Sequence, residues 1–276
     1  MKLTEMRQIL QDRGIQLTKS LGQNFLHDEN QLKRIVEHAK LTHDDQVLEV
    51  GPGMGPLTEW LVAYSAHVTA IELDLRLVEF LRERLVAVKN LTLIHADALH
   101  YIKSHPRDWS SFKLVANLPY SVASPLLVEL AQGGRGPSTM VATLQLEVAR
   151  RAVARPGTDD YGLLTLLLQL DYRARIAFRI PSGCFFPSPD VESAVLILEK
   201  RPTPLLTGPP RAAYTQLVRL GLSQRRKMMV KLLKQRWPEP LIHAACAAAK
   251  VPIDIRAEQV SLEQFVEMAQ HLVQDP

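Results

Sequence analysis

Apolar residues along the chain alternate between two spacings. The short runs QVLEV (46–50), HVTAIEL (67–73), LTLIHAD (91–97) and KLVANLP (113–119) have the length and β-branched content of buried strands. Between and after them, PLTEWLVAY (56–64), LRLVEFLRERLVAV (75–88) and SPLLVELAQ (124–132) repeat apolar positions every three or four residues, as amphipathic helices do. TMVATLQLEVARRAV (139–153) and the apolar GLLTLLLQL (162–170) follow, then two more strand-like runs, ARIAFRI (174–180) and ESAVLILEK (192–200). Strands alternating with helices predict an α/β fold, a doubly wound and mostly parallel sheet with helices on both faces.

The pattern changes near residue 200. RPTPLLTGPP (201–210) reads as a linker, because proline continues neither a helix nor a central strand. GGRGPS (133–138) reads as a surface loop. Beyond the linker, AAYTQLVRLGL, KMMVKLLKQRW, LIHAACAAAK and LEQFVEMAQHLV all have helical spacing. The expected organisation is therefore an α/β domain over 1–200 and a small all-helical domain over 201–276. The 276 residues are 46% hydrophobic and 22% charged, which excludes a mainly disordered chain. Two distant cysteines, Cys184 and Cys246, exclude a disulfide scaffold or a cysteine-rich zinc site. The histidines lack ligand spacing, so no metal is expected. MKLTEMRQIL has no signal-peptide core, and Leu163–Leu170 is too short to span a bilayer, so a soluble cytoplasmic protein with no membrane association is expected.

The net charge of +4 is unevenly placed. Residues 201–276 hold 11 Lys/Arg against 6 Asp/Glu, whereas the remainder is nearly balanced at 22 against 23. Arg219, Arg225, Arg226, Lys227, Lys231, Lys234 and Arg236 form the cluster responsible. A solvated helix face and a phosphate-binding surface are both compatible with it.

Candidate chemistry lies at the strand ends. Glu49-Val50-Gly51-Pro52-Gly53-Met54-Gly55 joins the first strand to a helix, and glycines there permit close approach of a ligand to the backbone. An acid ends the second strand (Glu72) and another the third (Asp97), placed to accept ribose hydroxyls and an adenine amino group respectively. A structural turn or a dinucleotide site would also use such glycines. Glu49, however, would repel a pyrophosphate and suits a cofactor carrying an ammonium and a sulfonium, as S-adenosylmethionine does.

Asn117-Leu118-Pro119-Tyr120 ends the fourth strand. The exocyclic amine of adenine is a poor nucleophile, and acceptors for its N–H bonds help it pyramidalise. The Asn117 amide and the Leu118 carbonyl are such acceptors, Pro119 stiffens the turn, and Tyr120 can stack on a splayed base. Positioning carries most of such a reaction, and no matched Brønsted base is required. In Phe185-Phe186-Pro187-Ser188-Pro189, Phe185 is either core or the second face of a sandwich around the base.

These residues resemble the ribosomal RNA adenine dimethylase family, most closely its bacterial small-subunit dimethyladenosine transferase branch. The resemblance covers nearly the whole chain: KSLGQNFL (19–26), VLEVGPGMGPLTE (47–59), AIELD (70–74), HADAL (95–99), NLPYSVASPLL (117–127), LQLEVARR (144–151), YGLLTLLLQ (161–169), FFPSPDVESAV (185–195) and SQRRK (223–227). It implies a Rossmann-like class I methyltransferase fold and cofactor contacts from Asn24, Leu26, Gly51, Glu72, Asp97 and Asn117, with Glu49 and Gly53 in the same loop. GQNFL would lie over the cofactor, although Gln23–Leu26 alone reads as the start of a helix. The implied reaction places two methyls on N6 of each of two adjacent adenines in a small-subunit rRNA hairpin loop. The implied substrate is the RNA or the pre-assembled subunit, the implied state a monomer, and Arg225, Arg226 and Lys227 become RNA contacts. The chain departs from the usual pattern at Ser121-Val122-Ala123, Leu146 and Leu222. A large-subunit rRNA methylase and an assembly factor that acts by binding are the competing readings.

Overall fold

The computed structural model describes residues 1–17 and 22–273. Lys19, Ser20 and Leu21, the start of KSLGQNFL, lie outside the described residues. The elements run α1 (Leu3–Asp12), β1 (Phe25–Leu26), α2 (Glu29–Ala39), β2 (Gln46–Val50), α3 (Pro56–Tyr64), β3 (His67–Glu72), α4 (Leu75–Arg84), β4 (Leu91–His95), α5 (Ala98–Ser104), β5 (Phe112–Asn117) and α6 (Ala123–Ala131). Then come β6 (Thr139–Gln145), α7 (Leu146–Val153), α8 (Leu163–Gln169), β7 (Tyr172–Ile180), β8 (Phe185–Phe186), β9 (Ser193–Lys200), α9 (Gly208–Gly221), α10 (Met229–Leu233), α11 (Glu239–Ala248) and α12 (Leu262–His271).

A seven-stranded sheet has the order β4-β3-β2-β5-β6-β9-β7. The pairs β4–β3, β3–β2, β2–β5 and β5–β6 are parallel, and β6–β9 is antiparallel. Strands β2, β5 and β6 carry Val47, Leu48, Val115, Val141 and other fully buried apolar residues, as a sheet covered on both faces requires. The chain moves from β2 outward to β3 and β4, then returns to the other side of β2 for β5. That reversal opens a crevice beyond the carboxyl ends of β2 and β5, where ligands bind in sheets of this kind.

The chain divides into two compact units, Met1–Ala149 with Ala174–Lys200, and Arg150–Arg173 with Arg201–Pro276. The expected division at 200 differs by one segment. Residues 150–173 group with the C-terminal helices, because Tyr161 Oη donates to Val260 O (2.8 Å), Tyr214 Oη donates to Leu166 O (2.9 Å), and Arg211 pairs with buried Asp171. GLLTLLLQL is thus a helix of the second unit, α8. The prolines of 201–210 are not all linker: α9 begins at Gly208, with Pro209 and Pro210 in its first turn, where a missing N–H costs nothing.

Two further differences concern the amino-terminal half. Gln23–Leu26 is not the start of a helix. Phe25 and Leu26 pair antiparallel with Phe186 and Phe185 in a separate two-stranded sheet, and α2 starts only at Glu29, capped by Asp28. Residues 3–12 form α1, with Met6 and Leu10 in a core that includes Phe25, Met54, Leu77 and Phe80.

Candidate active site

A cleft of about 270 Å³ lies beyond the carboxyl ends of β2 to β5. Neighbouring strands stand roughly 4.8 Å apart. The sheet order therefore sets Asp97, Glu72, Gly51 and Asn117 in sequence along roughly 15 Å of edge. All four line the cleft, with Asn24, Gly53, Leu118, Pro119 and Tyr120.

Each is placed by local chemistry. Gly51, Gly53 and Gly55 all have φ between 60° and 86°. At Gly53 a Cβ would meet the Phe25 ring at 2.7 Å, so only glycine lets β1 lie over the loop. Glu72 is buried at the end of β3. Its carboxylate accepts the N–H groups of Gly53 (3.1 Å), Leu73 (2.8 Å) and Asp74 (2.9 Å). Burial raises its pKa, and those three bonds pull the other way. Asp74 accepts from Gln23 Nε2 (2.9 Å) and is held charged by Arg76. Asp97 caps α5 by accepting from His100 N (2.7 Å).

At the other end, Asn117 Nδ2 donates to the backbone oxygen of Asn24 (3.0 Å), which fixes the amide plane. Its Oδ1 is buried and has no hydrogen-bond partner among the described residues. A buried amide oxygen without a donor costs free energy unless a ligand supplies one. Leu118 N donates to Thr143 O (3.0 Å), and Tyr120 Oη lies 2.6 Å from Ser193 Oγ. Burial raises the Tyr120 phenol, so it stays protonated at neutral pH. An acceptor row, a glycine floor and an amide notch beside an aromatic ring fit a nucleoside-bearing cationic cofactor and a flat purine substrate.

A sequence model describing ribosomal RNA adenine dimethylases matches residues 14–274. The chain belongs to that family. Ribosomal RNA small subunit methyltransferase A of Lactiplantibacillus plantarum is 38% identical over 280 residues, covering 97% of this chain and 94% of that one. The protein of the same name from Latilactobacillus sakei is 36% identical, covering 98% and 94%. Among solved structures, the 23S rRNA methyltransferase ErmE superposes with a TM-score of 0.70 at 31% identity, covering 91% of this chain and all of that one. A dimethyladenosine transferase from Plasmodium falciparum shares the fold, with a TM-score of 0.74 at 23% identity and coverage of 88% and 95%. The Rossmann-like methyltransferase fold expected from the sequence is the fold found.

One residue of this dimethylase family member, Phe185, is not where the sequence reading put it. Phe185 does not reach the cleft. Paired with Leu26 in the small sheet, it is 3% exposed in a core with Leu26, Ile35 and Ile180. Leu26 is buried as well, and lines a small cavity that shares Phe25, Gly51 and Asn117 with the cleft. Glu49 also borders that small cavity rather than the main cleft. It is fully buried, and burial pushes its pKa up to about 8, with Glu72 adding to the shift. Thr58 is near enough to favour the charged form, but Glu49 Oε2 gains no full hydrogen bond among the described residues.

Gln23 and Phe25 line the cleft, as the reading of GQNFL expects, whereas the sequence reading missed Leu73, Leu77, Ala98 and Leu99 on the cleft wall. Ala98 and Leu99 directly follow Asp97, and apolar residues beside the acid expected to accept the adenine amino group were the available signal. In the second unit, the Arg225 guanidinium donates to Asp159 O (2.7 Å) and Tyr161 O (3.1 Å), so it holds a loop. Arg226 and Lys227 are exposed, without an ion pair among the described residues.

Proposed function

We propose that this protein uses S-adenosylmethionine to dimethylate N6 of two adjacent adenines in a small-subunit rRNA hairpin loop. It acts as a cytoplasmic monomer on small-subunit rRNA, free or in the pre-assembled subunit, with a role in subunit biogenesis. When bound, the cofactor supplies an electrophilic methyl on a sulfonium. Glu72 accepts the ribose hydroxyls, Asp97 accepts the adenine amino group, and Asn24, Gly51 and Gly53 shape the floor and lid. Asn117 Oδ1 and the Leu118 carbonyl accept the two N–H bonds of the target amine, which frees its lone pair. Tyr120 stacks on the target ring, and Pro119 keeps the turn rigid. Burial keeps Glu49 neutral until a cationic group approaches through the small cavity that shares Gly51 and Asn117 with the cleft. Arg226 and Lys227 contact RNA phosphates.

The observation that carries this reading is the buried, unpartnered Asn117 Oδ1 at the sheet's switch point. Similarity to small-subunit enzymes over nearly their full length favours that RNA over the large-subunit one. Primer extension across both rRNAs from a deletion strain tests it. Dimethyladenine stops lost from the small subunit are expected. Stops lost from the large subunit would favour the other RNA. Full rescue of subunit maturation by Asn117→Ala would point to an assembly factor acting by binding.

A further inference from the structure

Tyr120 and Ser193 stand on elements 73 residues apart, yet Tyr120 Oη and Ser193 Oγ are 2.6 Å from each other. Ser193 is the first residue of β9, paired with Gln145 at the end of β6, and is 0% exposed. Leu146 N donates to Glu192 O (2.9 Å), which fixes the start of that strand. In the order β5-β6-β9, Ser193 lies two strand spacings, roughly 10 Å, from the strand that delivers Tyr120. The phenol thus leans across the end of β6 toward a hydroxyl anchored in the sheet.

A tyrosine on a turn has two free side-chain torsions, and its ring plane is undefined until something holds its far end. We infer that Ser193 is a positioning residue for Tyr120, locking the ring so that its face is presented to the target base before the RNA arrives. This inference rests on the adenine-methylating reading above. It also gives the FFPSPDVESAV segment a role at the cleft other than the one first expected of Phe185. The segment reaches the base through Ser193 and Tyr120, while Phe185 stays in the core.

The test is a double-mutant cycle of Ser193→Ala and Tyr120→Phe, with tritium transfer to undermethylated small subunits and calorimetry of cofactor binding. Each single variant is expected to lose about tenfold in kcat/KM, the scale of one positioning hydrogen bond. The double variant should lose about tenfold too, because both changes break the same bond. The cofactor Kd should stay within about twofold, a pattern that general destabilisation would not produce. A Ser193→Ala protein with wild-type kcat/KM, a double variant down about a hundredfold, or cofactor affinity falling in step with activity would each overturn the inference. Should Ser193→Ala fail to fold, Tyr120→Phe decides alone: a tenfold loss supports the inference and wild-type turnover overturns it. A wild-type arm that transfers no methyl to small-subunit adenine would overturn the functional reading, and the inference with it.

Discussion

Asn117 Nδ2 donates to the backbone oxygen of Asn24, 93 residues earlier in the chain, at 3.0 Å. The bond joins the strand end that presents the acceptor notch to the segment that lies over the glycine loop. It also leaves Oδ1 as the free face of the amide. Replacing Asn117 should therefore do two separable things. Asn117→Ala removes the acceptor and should lower kcat by at least about a hundredfold, the scale of one well-placed transition-state partner. Asn117→Asp keeps an acceptor but sets a carboxylate against the Asn24 carbonyl, so it should be comparably inactive and less stable. Single-turnover methyl transfer and thermal unfolding check both.

Glu72 satisfies three backbone N–H groups from inside the protein. Glu72→Ala should cost about 2–4 kcal/mol of stability through the orphaned donors. It should also abolish measurable cofactor binding. Urea unfolding and calorimetry check this, and unchanged S-adenosylmethionine affinity would remove Glu72 from the site.

Glu49 gives a pH signature. Its folded pKa of about 8 lies well above the ordinary 4.5. The folded state therefore holds a proton that the unfolded state has released. The associated stability is fully present below pH 4.5 and is lost progressively up to about pH 8. Across that window the cofactor-free protein should lose a few kcal/mol, on the order of what such a shift is worth. Glu49→Gln should flatten the profile, so that the variant gains on the wild type as pH rises. Denaturant midpoints measured from pH 5 to 8.5 check it.

In the second unit, the three neighbouring cations should separate. Arg226→Ala with Lys227→Ala should weaken RNA binding and reduce the salt slope by about 2, with little effect on stability. Arg225→Ala should lower the unfolding midpoint, because its guanidinium holds the carbonyls of Asp159 and Tyr161. Filter binding across a salt series, with thermal unfolding, tells the two apart.

The sequence revealed what repeats locally. Strands such as Gln46–Val50 and helices such as Pro56–Tyr64 follow from apolar period, and the acids at 72 and 97 follow from their place at strand ends. Pairings across long separations were hidden. Phe25 meets Phe186 only in three dimensions, which is why β1 read as the start of a helix and Phe185 as a base-stacking ring. Leu163–Gln169 gave too short a period to read, with five leucines around Thr165 and Gln169, and the bond from Tyr214 to Leu166 shows which helix it joins. The burial of Glu49 was unreadable, because a one-residue step along β2 decides which side of the sheet it faces.

The central claim is that the notch at Asn117 and Leu118 holds adenine N6. Its most direct test is tritium transfer from labelled S-adenosylmethionine to purified, undermethylated small ribosomal subunits, followed by nucleoside analysis. Label is expected in N6,N6-dimethyladenosine from two adjacent small-subunit positions and is expected to be lost in Asn117→Ala. Label in another nucleoside, or undiminished transfer by that variant, would contradict it.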